Sequence, residues 1–277
     1  MKAIPDHIST DEKIADFQEL IWQKARELYR DMPWRDNTDP YYVLVSELML
    51  QQTQVDRVIP KFELFMMTFP TIKDLAEASL ADVLTVWSGL GYNRRAKFLH
   101  AAAGKVVTDF KGNIPDTYDE LVSLPGVGPN TAGAILAYSF NQPITFIETN
   151  IRTVYFYHFF EDQPLVNDKE LRFLVEQTID REHPRQWYWA MMDYGSYLKK
   201  QGAGRIDKSS HYKKQAPLKG SLREVRGLIL KSLAQKDYTL VELKQDMPDD
   251  ERFDAALRAL MHEGLVGETN KKLHLSR

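Results

Sequence analysis

Two carboxylates stand by themselves in apolar stretches of the sequence and could serve in acid–base chemistry. Glu47 lies within VLVSELMLQQTQVDRV (residues 43–58), and Glu148 follows the apolar run PITFI. Since charged residues are rarely buried without a partner, Glu47 could simply occupy the solvent side of an amphipathic helix, or it could face a cleft. Glu148 could cap the helix that follows it or interact with the dipole of that helix. The two stretches alone leave these alternatives open.

Helical periodicity predicts the elements that would position these carboxylates. On a 3.6-residue repeat, Glu47, Gln51 and Gln54 line one side of a helix that we expect to end near Pro60. Capping signals predict where other helices begin. These signals are Ser9 with Glu12, Thr71 with Asp74, and Ser79 with Asp82.

Two glycine-containing turns are also candidates for function. GLGY (residues 89–92) predicts a flexible turn that carries an exposed aromatic residue, and PGVG (residues 125–128) joins two predicted helices into a hairpin. Turns without Cβ atoms permit unusual φ and ψ angles and close approach of a ligand to the backbone. Amides at the start of the second hairpin helix would favour an anion such as a phosphate. The alternative is a plain helix connector.

The composition excludes several classes of protein. The 277 residues suggest two domains with a possible small third one. We expect a cytoplasmic protein, since no run of 18 apolar residues and no secretory pattern at the N-terminus are found. The absence of cysteine excludes disulfides, thiolate zinc sites, cysteine nucleophiles and ordinary iron–sulfur clusters. The seven histidines show no i, i+4 pairing, so we predict no metal and no cofactor.

The charge is unevenly distributed along the chain. The net charge of −3 is weak evidence against nucleic-acid binding, but residues 199–231 hold ten basic and two acidic residues, a local charge of +8. Such a segment could supply affinity for phosphates, or it could be a solvated linker. After it, three helical stretches and the alternating LVGETNKKLHLS predict a small winged-helix module.

Several motifs together resemble the MutY-type adenine DNA glycosylases of the helix-hairpin-helix superfamily. They are SELMLQQTQV, MPWR (residues 32–35), GLGY, LPGVGPNTAGAIL (residues 124–136) and IETN (residues 147–150), and the resemblance extends from about residue 12 to residue 198. It implies an all-α, two-lobed fold with a DNA cleft between the lobes. The expected domains are a six-helix lobe with the hairpin (33–149), a second helical lobe with a basic tail (1–32 plus 150–218) and the winged-helix-like module (219–277).

The resemblance assigns roles to the two carboxylates. Glu47 matches the family's acid, which donates a proton to the base, and Glu148 matches the second carboxylate, which stabilises the cationic sugar or bonds to it. Gln52 and Tyr92 match residues that enter the base stack when a base is flipped out. Other expected contacts with substrate or DNA are Asn150 near the flipped nucleotide, Gly126, Gly128, Asn130 and Thr131 in the hairpin, and Arg35, Gln51, Thr53 and Leu90 along the cleft.

The sequence departs from the family in three places, and a fourth position bears on the reaction type. Glu148 replaces the usual Asp, which lengthens the side chain by roughly 1.5 Å, one carbon–carbon bond. Lys199 stands where the cluster-binding cysteines usually begin, so we predict a colourless protein without iron. The residues after 218 do not resemble the domain that recognises 8-oxoguanine in this family. Asn130 replaces the lysine of bifunctional relatives, which predicts a monofunctional enzyme.

The motifs therefore predict a base-excision glycosylase that removes adenine mispaired with 8-oxoguanine or guanine. One alternative is a glycosylase for another mismatched or damaged base, such as uracil or thymine opposite guanine. A second is a non-catalytic protein that binds DNA structures, which the retention of two acids beside an anionic backbone disfavours. We expect a monomer whose partner is double-stranded DNA containing a mismatch or lesion.

Overall fold

The computed structural model describes residues 11–161, 163–204, 207, 217–247 and 251–276. Helices make up most of these ranges, together with three short strands. The elements are α1 (Asp11–Leu28), α2 (Pro33–Asp36), α3 (Pro40–Leu50), α4 (Val55–Thr68), α5 (Ile72–Glu77), α6 (Leu80–Trp87), α7 (Arg94–Asp109), α8 (Tyr118–Val122), α9 (Pro129–Tyr138), α10 (Thr149–Phe159), α11 (Asp168–Thr178), α12 (Pro184–Lys200), α13 (Leu222–Leu233), β1 (Tyr238–Thr239), α14 (Leu240–Asp246), α15 (Phe253–His262), β2 (Val266–Thr269) and β3 (Lys272–Leu275). The predicted all-α class with a small C-terminal winged-helix module is confirmed.

Local sequence signals account for several helix starts. Thr71 and Asp74 form a reciprocal capping box at α5, and the Ser79 side chain accepts a hydrogen bond from the Asp82 amide at α6. Both predictions are confirmed. Ser9, in the capping box predicted for α1, lies outside the described residues, as do Arg205, Lys208, Lys213 and Lys214 of the basic segment.

The chain divides into two compact units. The first comprises Met1–Val43, Asp116–Tyr118 and Gly128–Lys214, and the second comprises Leu44–Pro115, Asp119–Val127 and Gln215–Arg277. The predicted six-helix segment 33–149 is thus split, since α9 belongs to the first unit. The C-terminal module belongs to the same unit as α4–α7.

The first unit is built around α12. Helices α1, α9 and α10 pack against it, and its buried side chains include Trp187 and Tyr188. Large aromatic side chains supply much of the buried apolar area in such a core. Aromatic residues of α10 and α12 therefore supply much of the interior of this unit, whereas Tyr157, Phe173 and Tyr197 are exposed.

The second unit combines helices with the C-terminal module. Helices α5 and α6 pack on α7, and α4 packs on α6. In the module, α13 packs on α15, and the antiparallel sheet has the order β1-β3-β2, with Tyr238 opposite Leu273 and Val266 opposite Leu275. Strand β3 also contacts α6. The module is therefore attached to the helical part of its own unit.

The helix predicted across residues 43–58 is two helices in the structure, so the predicted alignment of Glu47, Gln51 and Gln54 is wrong. Helix α3 ends at Leu50, and α4 begins at Val55 after a turn. Pro60 lies inside α4 rather than at a helix end. None of the helices in the described ranges is both long enough and apolar enough to cross a membrane.

Candidate active site

The candidate residues fall into two groups, one in each unit. Glu47, Gln51, Gln52, Thr53, Leu90, Tyr92 and Gly126 belong to the second unit, whereas Arg35, Gly128, Asn130, Thr131, Glu148 and Asn150 belong to the first. Each group has its own set of contacts.

Glu47 lies in the middle of α3, where residues 43–49 are all buried. The helix begins at Pro40, and the Asp39 carboxylate accepts a hydrogen bond from the Tyr41 amide at 2.8 Å, which caps the first turn. Glu47 is only 8% exposed. The solvent-facing interpretation is therefore wrong, because the neighbours of Glu47 along the helix are core residues on every side.

The turn after α3 presents Gln52. This residue is exposed and adopts a left-handed conformation with φ of 55°, which is uncommon for a side chain other than glycine. Its neighbours Gln51 and Thr53 are partly buried. The turn thus directs one glutamine outward while the residues beside it stay close to the protein.

A buried arginine that the sequence analysis did not single out holds this turn in place. The Arg95 guanidinium, at the start of α7, donates to acceptors from three segments. They are the carbonyls of Leu48 (2.7 Å), Met49 (2.8 Å), Gln51 (2.6 Å) and Gly91 (3.1 Å) and the hydroxyl of Thr53 (3.0 Å). Since the last carbonyls of a helix lack partners within the helix, Arg95 terminates α3 and fixes the Gln52 turn relative to Tyr92. Burial lowers the pKa of Arg95 to about 10.

The GLGY turn leads into α7. Gly89 and Gly91 have φ of 97° and 75°, and Tyr92 has φ of 50°. Leu90 is buried at 3% exposure, so it anchors the turn in the core rather than presenting a side chain outward. The indole Nε1 of Trp87 donates to the Gly91 carbonyl at 3.2 Å. Tyr92 is the partly buried aromatic residue of this turn.

Glycine occurs at positions 126 and 128 of the hairpin for two different structural reasons. Gly126 has φ of 79°, and a Cβ there would lie 2.7 Å from the Cβ of Phe98, so only glycine fits. Gly128 is extended at the N-cap of α9, and a Cβ on it would meet no described atom within 4 Å. The backbone before α9 is therefore open to an approaching group, as the anion-binding interpretation requires.

Glu148 occupies the N-cap position of α10, but its side chain makes no capping hydrogen bond. The side chain is therefore not used as the helix cap that the sequence alone suggested. Burial raises the pKa of the Glu148 carboxyl, and the positive charge of Lys199 opposes this rise. The environment thus favours the neutral acid more than water does.

Contacts on both sides fix the backbone around Glu148. The Asn130 side chain donates to the Ile147 carbonyl at 3.0 Å and accepts from the Ile147 amide at 3.3 Å. A Cβ on Gly195 of α12 would lie 2.3 Å from the Asn150 carbonyl oxygen, so α10 starts directly against α12. These contacts explain why the hairpin helix α9 belongs to the same unit as Glu148.

Asn150 and Thr131 are the remaining candidates of this group. The Asn150 amide contacts the Met192 sulfur at 3.7 Å, while its buried Oδ1 has no hydrogen-bond partner among the described residues. An unsatisfied buried acceptor is costly. Thr131 is 6% exposed within α9, so it packs in the interior of the unit.

Arg35 is occupied by protein contacts. Its guanidinium donates to both carboxylate oxygens of Asp193, at 2.7 and 3.0 Å, and to the Arg30 carbonyl at 2.8 Å. The rings of Tyr29 and Trp189 lie 5.3 Å from it. Arg35 and Asp193 are 6% and 3% exposed. This placement favours a structural role for Arg35 over a direct contact with DNA.

The residues that the sequence analysis missed are Arg95 and Asp193, together with Arg223 of α13, which contacts Tyr92. A signal for Arg95 was available. Arg95 shares one helical face with Leu99, Ala102 and Val106, which are all fully buried. An arginine on such an apolar stripe indicates a buried guanidinium.

The iron–sulfur cluster that the family implies does not fit this chain. A cluster needs thiolate ligands, and the sequence has no cysteine. At the position where they would begin, a Cβ on Gly204 would meet the Lys199 side chain at 2.7 Å. The chain here turns back onto a lysine side chain, which cannot ligate iron as a thiolate does.

Comparisons with known proteins agree with this architecture. The family described as HhH-GPD superfamily base excision DNA repair protein matches residues 45–180. An adenine DNA glycosylase of Mycobacterium tuberculosis (strain H37Rv) is 31% identical over an alignment of 280 positions, which covers 92% of this chain and 91% of that protein. An adenine DNA glycosylase of Buchnera aphidicola (subspecies Acyrthosiphon pisum) is 36% identical over 173 residues, 61% of this chain and 49% of that protein. The chain thus spans about half the length of the Buchnera relative.

Among solved structures, a thermostable thymine-DNA glycosylase superposes with a TM-score of 0.62 at 25% identity, covering 67% of this chain and 87% of that protein. This chain belongs to the adenine DNA glycosylase family of the helix-hairpin-helix superfamily of base-excision repair proteins.

Proposed function

We propose that this protein is a monofunctional DNA glycosylase that removes adenine mispaired with 8-oxoguanine or guanine from double-stranded DNA. The observation that carries the proposal is the burial of Glu47, 8% exposed, at the position that the resemblance assigns to the acid. A carboxyl group inside an apolar helix costs folding energy. The relatives from Mycobacterium and Buchnera are named adenine DNA glycosylases, which supports the choice of base.

The proposed reaction uses one carboxyl group as an acid and one as a carboxylate. Glu47 donates a proton to a ring nitrogen of the flipped adenine, and the bond from C1′ to the base breaks with its electron pair moving to the base. Glu148 acts in its ionised form, which the positive charge of Lys199 favours against the effect of burial, and its carboxylate stabilises the cationic sugar. Water then adds at C1′ and releases its proton, which leaves free adenine and an abasic site.

The proposed DNA contacts come from the two left-handed turns and from the start of α9. Gln52 and Tyr92 would enter the base stack around the flipped nucleotide. The open backbone at Gly128 would accept a phosphate. The buried Oδ1 of Asn150 is an acceptor to which the nucleotide could donate.

The proposed absence of strand cleavage rests on Asn130. Bifunctional relatives use a lysine at this position, whereas the Asn130 amide bonds to the backbone of Ile147. Without an amine there, no Schiff base forms with the sugar. Strand nicking in the absence of base or heat, or an adduct trapped by borohydride, would refute this part.

A second candidate is removal of thymine opposite guanine. The observation that favours it is the likeness to the thymine-DNA glycosylase structure, at a TM-score of 0.62. The two candidates share Glu47 and Glu148 and differ only in the base that is accepted. A panel of mismatches therefore separates them.

The test is single-turnover excision on duplexes that contain each mismatch or lesion, with the wild type, Glu47→Gln and Glu63→Gln. Glu63 lies exposed on α4 and controls for the loss of a carboxylate. We expect wild-type excision to be fastest for adenine opposite 8-oxoguanine, and Glu47→Gln to bind DNA but excise nothing. Full activity of Glu47→Gln would refute the mechanism, and binding without excision by the wild type would make the protein a non-catalytic DNA binder.

The same preparation tests the two remaining expectations. We propose that the protein acts as a monomer in the cytoplasm. Light scattering of the free protein and of its complex with one duplex gives the stoichiometry. A brown preparation that absorbs near 400 nm would contradict the prediction of an iron-free protein.

A further inference from the structure

The C-terminal module contacts Tyr92 directly. Arg223, near the start of α13, donates a hydrogen bond to the Tyr92 hydroxyl, and its guanidinium carbon lies 5.5 Å from the centre of the Tyr92 ring. The Arg95 guanidinium carbon lies 5.4 Å from the same ring centre. The tyrosine is thus held by one arginine from α7 and one from the module, both within the second unit.

Other contacts fix the position of Arg223. Arg226, one turn along α13, donates to both carboxylate oxygens of Glu263, at 2.8 and 2.5 Å. The backbone carbonyl of Glu263 in turn accepts from Lys97 of α7 at 2.5 Å. Arg252 donates to the Ser221 carbonyl at 3.1 Å, just before α13. Arg223 is therefore presented from a helix that is itself fixed against the helix following Tyr92.

The helix of the module that would read a groove carries balanced charges. In winged-helix and helix-turn-helix proteins the recognition helix carries basic side chains into the major groove. The corresponding helix here, α15, has Asp254 and Arg258, whose charges cancel, and His262 at its end. The residue that follows it, Glu263, is bound by Arg226. Helix α13 instead carries Arg223, Arg226 and Lys231, and Arg223 contacts Tyr92.

We propose that Arg223 is a positioning residue that holds Tyr92 ready to enter the base stack, and that the C-terminal module thereby acts on insertion at the mismatch rather than by reading a groove. The inference rests on the proposed function. Tyr92 is in a left-handed conformation with φ of 50°, which persists only where surrounding contacts enforce it. A charged donor on its hydroxyl and a guanidinium on its ring supply such contacts.

Insertion can be measured without excision. The duplex carries 2′-fluoro-2′-deoxyadenosine opposite 8-oxoguanine, whose glycosidic bond resists cleavage, and 2-aminopurine beside the mismatch, whose fluorescence rises when its stack is opened. The variants are Arg223→Met, Arg223→Lys, Tyr92→Phe and the double variant Arg223→Met/Tyr92→Phe. Arg258→Met, an exposed arginine of the same module, controls for the loss of one positive charge.

We expect Arg223→Met to weaken the insertion equilibrium about tenfold, the lower end of the value of a charged hydrogen bond. Arg223→Lys should recover part of the loss, since lysine keeps the charge and a donor but not the planar contact. If Arg223 acts through the Tyr92 hydroxyl, the double variant is no worse than Arg223→Met alone. Melting temperatures of all variants identify any that fail to fold. If the Arg223 variants fail to fold, insertion by Tyr92→Phe is compared with insertion by the wild type instead.

Three results would overturn the inference. They are an Arg223→Met signal equal to wild type, an equal loss in Arg258→Met, or effects of Arg223→Met and Tyr92→Phe that simply add. Each would leave the proposed excision activity intact if the wild type cleaves natural adenine. If insertion depends on Arg223 but the wild type excises nothing, the proposed function is refuted, whereas the positioning role of Arg223 stands.

Discussion

Replacement of Arg95 by methionine is the most direct test of how the Gln52 and Tyr92 turns are held. Methionine keeps most of the length and the apolar contacts of the side chain but removes every donor. The carbonyls of Leu48, Met49, Gln51 and Gly91 and the Thr53 hydroxyl would lose a charged partner at 2.6–3.1 Å. We expect both turns to loosen together.

The magnitude follows from two opposing effects. A hydrogen bond to a charged group contributes about 1.5–3 kcal/mol, but five such values do not add, because one guanidinium makes them all and its burial is costly. That cost is visible in the lowering of the Arg95 pKa to about 10. Breaking a buried charged network by removing one member typically costs about 3–5 kcal/mol. At about 2–4 °C per kcal/mol for a protein of this size, the melting temperature should fall by about 10 °C.

The assay is thermal and urea unfolding of Arg95→Met beside Arg94→Met, with excision measured on the same preparations. Arg94 is the exposed neighbour on α7, and its replacement should change stability by less than about 0.5 kcal/mol. Arg95→Lys should fall between, since an ammonium cannot reach acceptors from three segments at once. If Arg95→Met melts within about 2 °C of Arg94→Met, the network does not stabilise the turns and this account of them is refuted.

Three further outcomes follow from the charges and contacts around α10. Lys199→Met should move the acidic limb of the excision pH profile to higher pH, because Lys199 opposes the raised pKa of Glu148; an unchanged limb, or an equal shift in Lys200→Met, would contradict this. Burial lowers the pKa of His158 from 6.5 to about 4. The unfolded chain therefore binds a proton at higher pH than the folded chain does. The free energy of unfolding should decrease by about 2 kcal/mol as the pH falls from 6.5 towards about 4. Urea midpoints at pH 7 and pH 4.5 measure this loss, which should largely disappear in His158→Phe. Glu148→Asp should lower single-turnover excision at least about tenfold, and equal or faster excision would show that the longer side chain is not needed.

The elements that local chemistry determines could be predicted from the sequence. The cap pairs Thr71–Asp74 and Ser79–Asp82 act over three residues, and the helical and alternating periods of the C-terminal module are properties of short segments. The hairpin turn was likewise recognisable from PGVG, because glycine permits the left-handed φ of 79° that Gly126 adopts. Short-range rules suffice where the interacting groups are close in sequence.

The end of α3 could not be predicted in this way. Nothing within residues 43–58 stops a helix at Leu50, and the cause lies at Arg95, more than 40 residues further along the chain. The role of Arg35 was hidden for the same reason, since its partner Asp193 is 158 residues away. The apolar stripe around Arg95 marks it as a buried arginine, but the sequence does not show which distant carbonyls it binds, so only the folded chain shows which turn it holds.

The geometry around Glu148 bears on how this chain tolerates a glutamate where the family has an aspartate. Two contacts prevent the start of α10 from moving back to make room for the extra methylene. Asn130 bonds to both backbone groups of Ile147, and Gly195 admits the Asn150 carbonyl so closely that even a Cβ would collide with it. The added length must therefore be taken up by the side-chain torsions of Glu148 and not by the backbone. With the backbone fixed, shortening to aspartate withdraws the carboxylate by roughly 1.5 Å, one carbon–carbon bond, and no shift of α10 can restore it. Restoring the family's own residue should then lower the proposed excision activity, and because the charge is unchanged, the loss would measure reach alone.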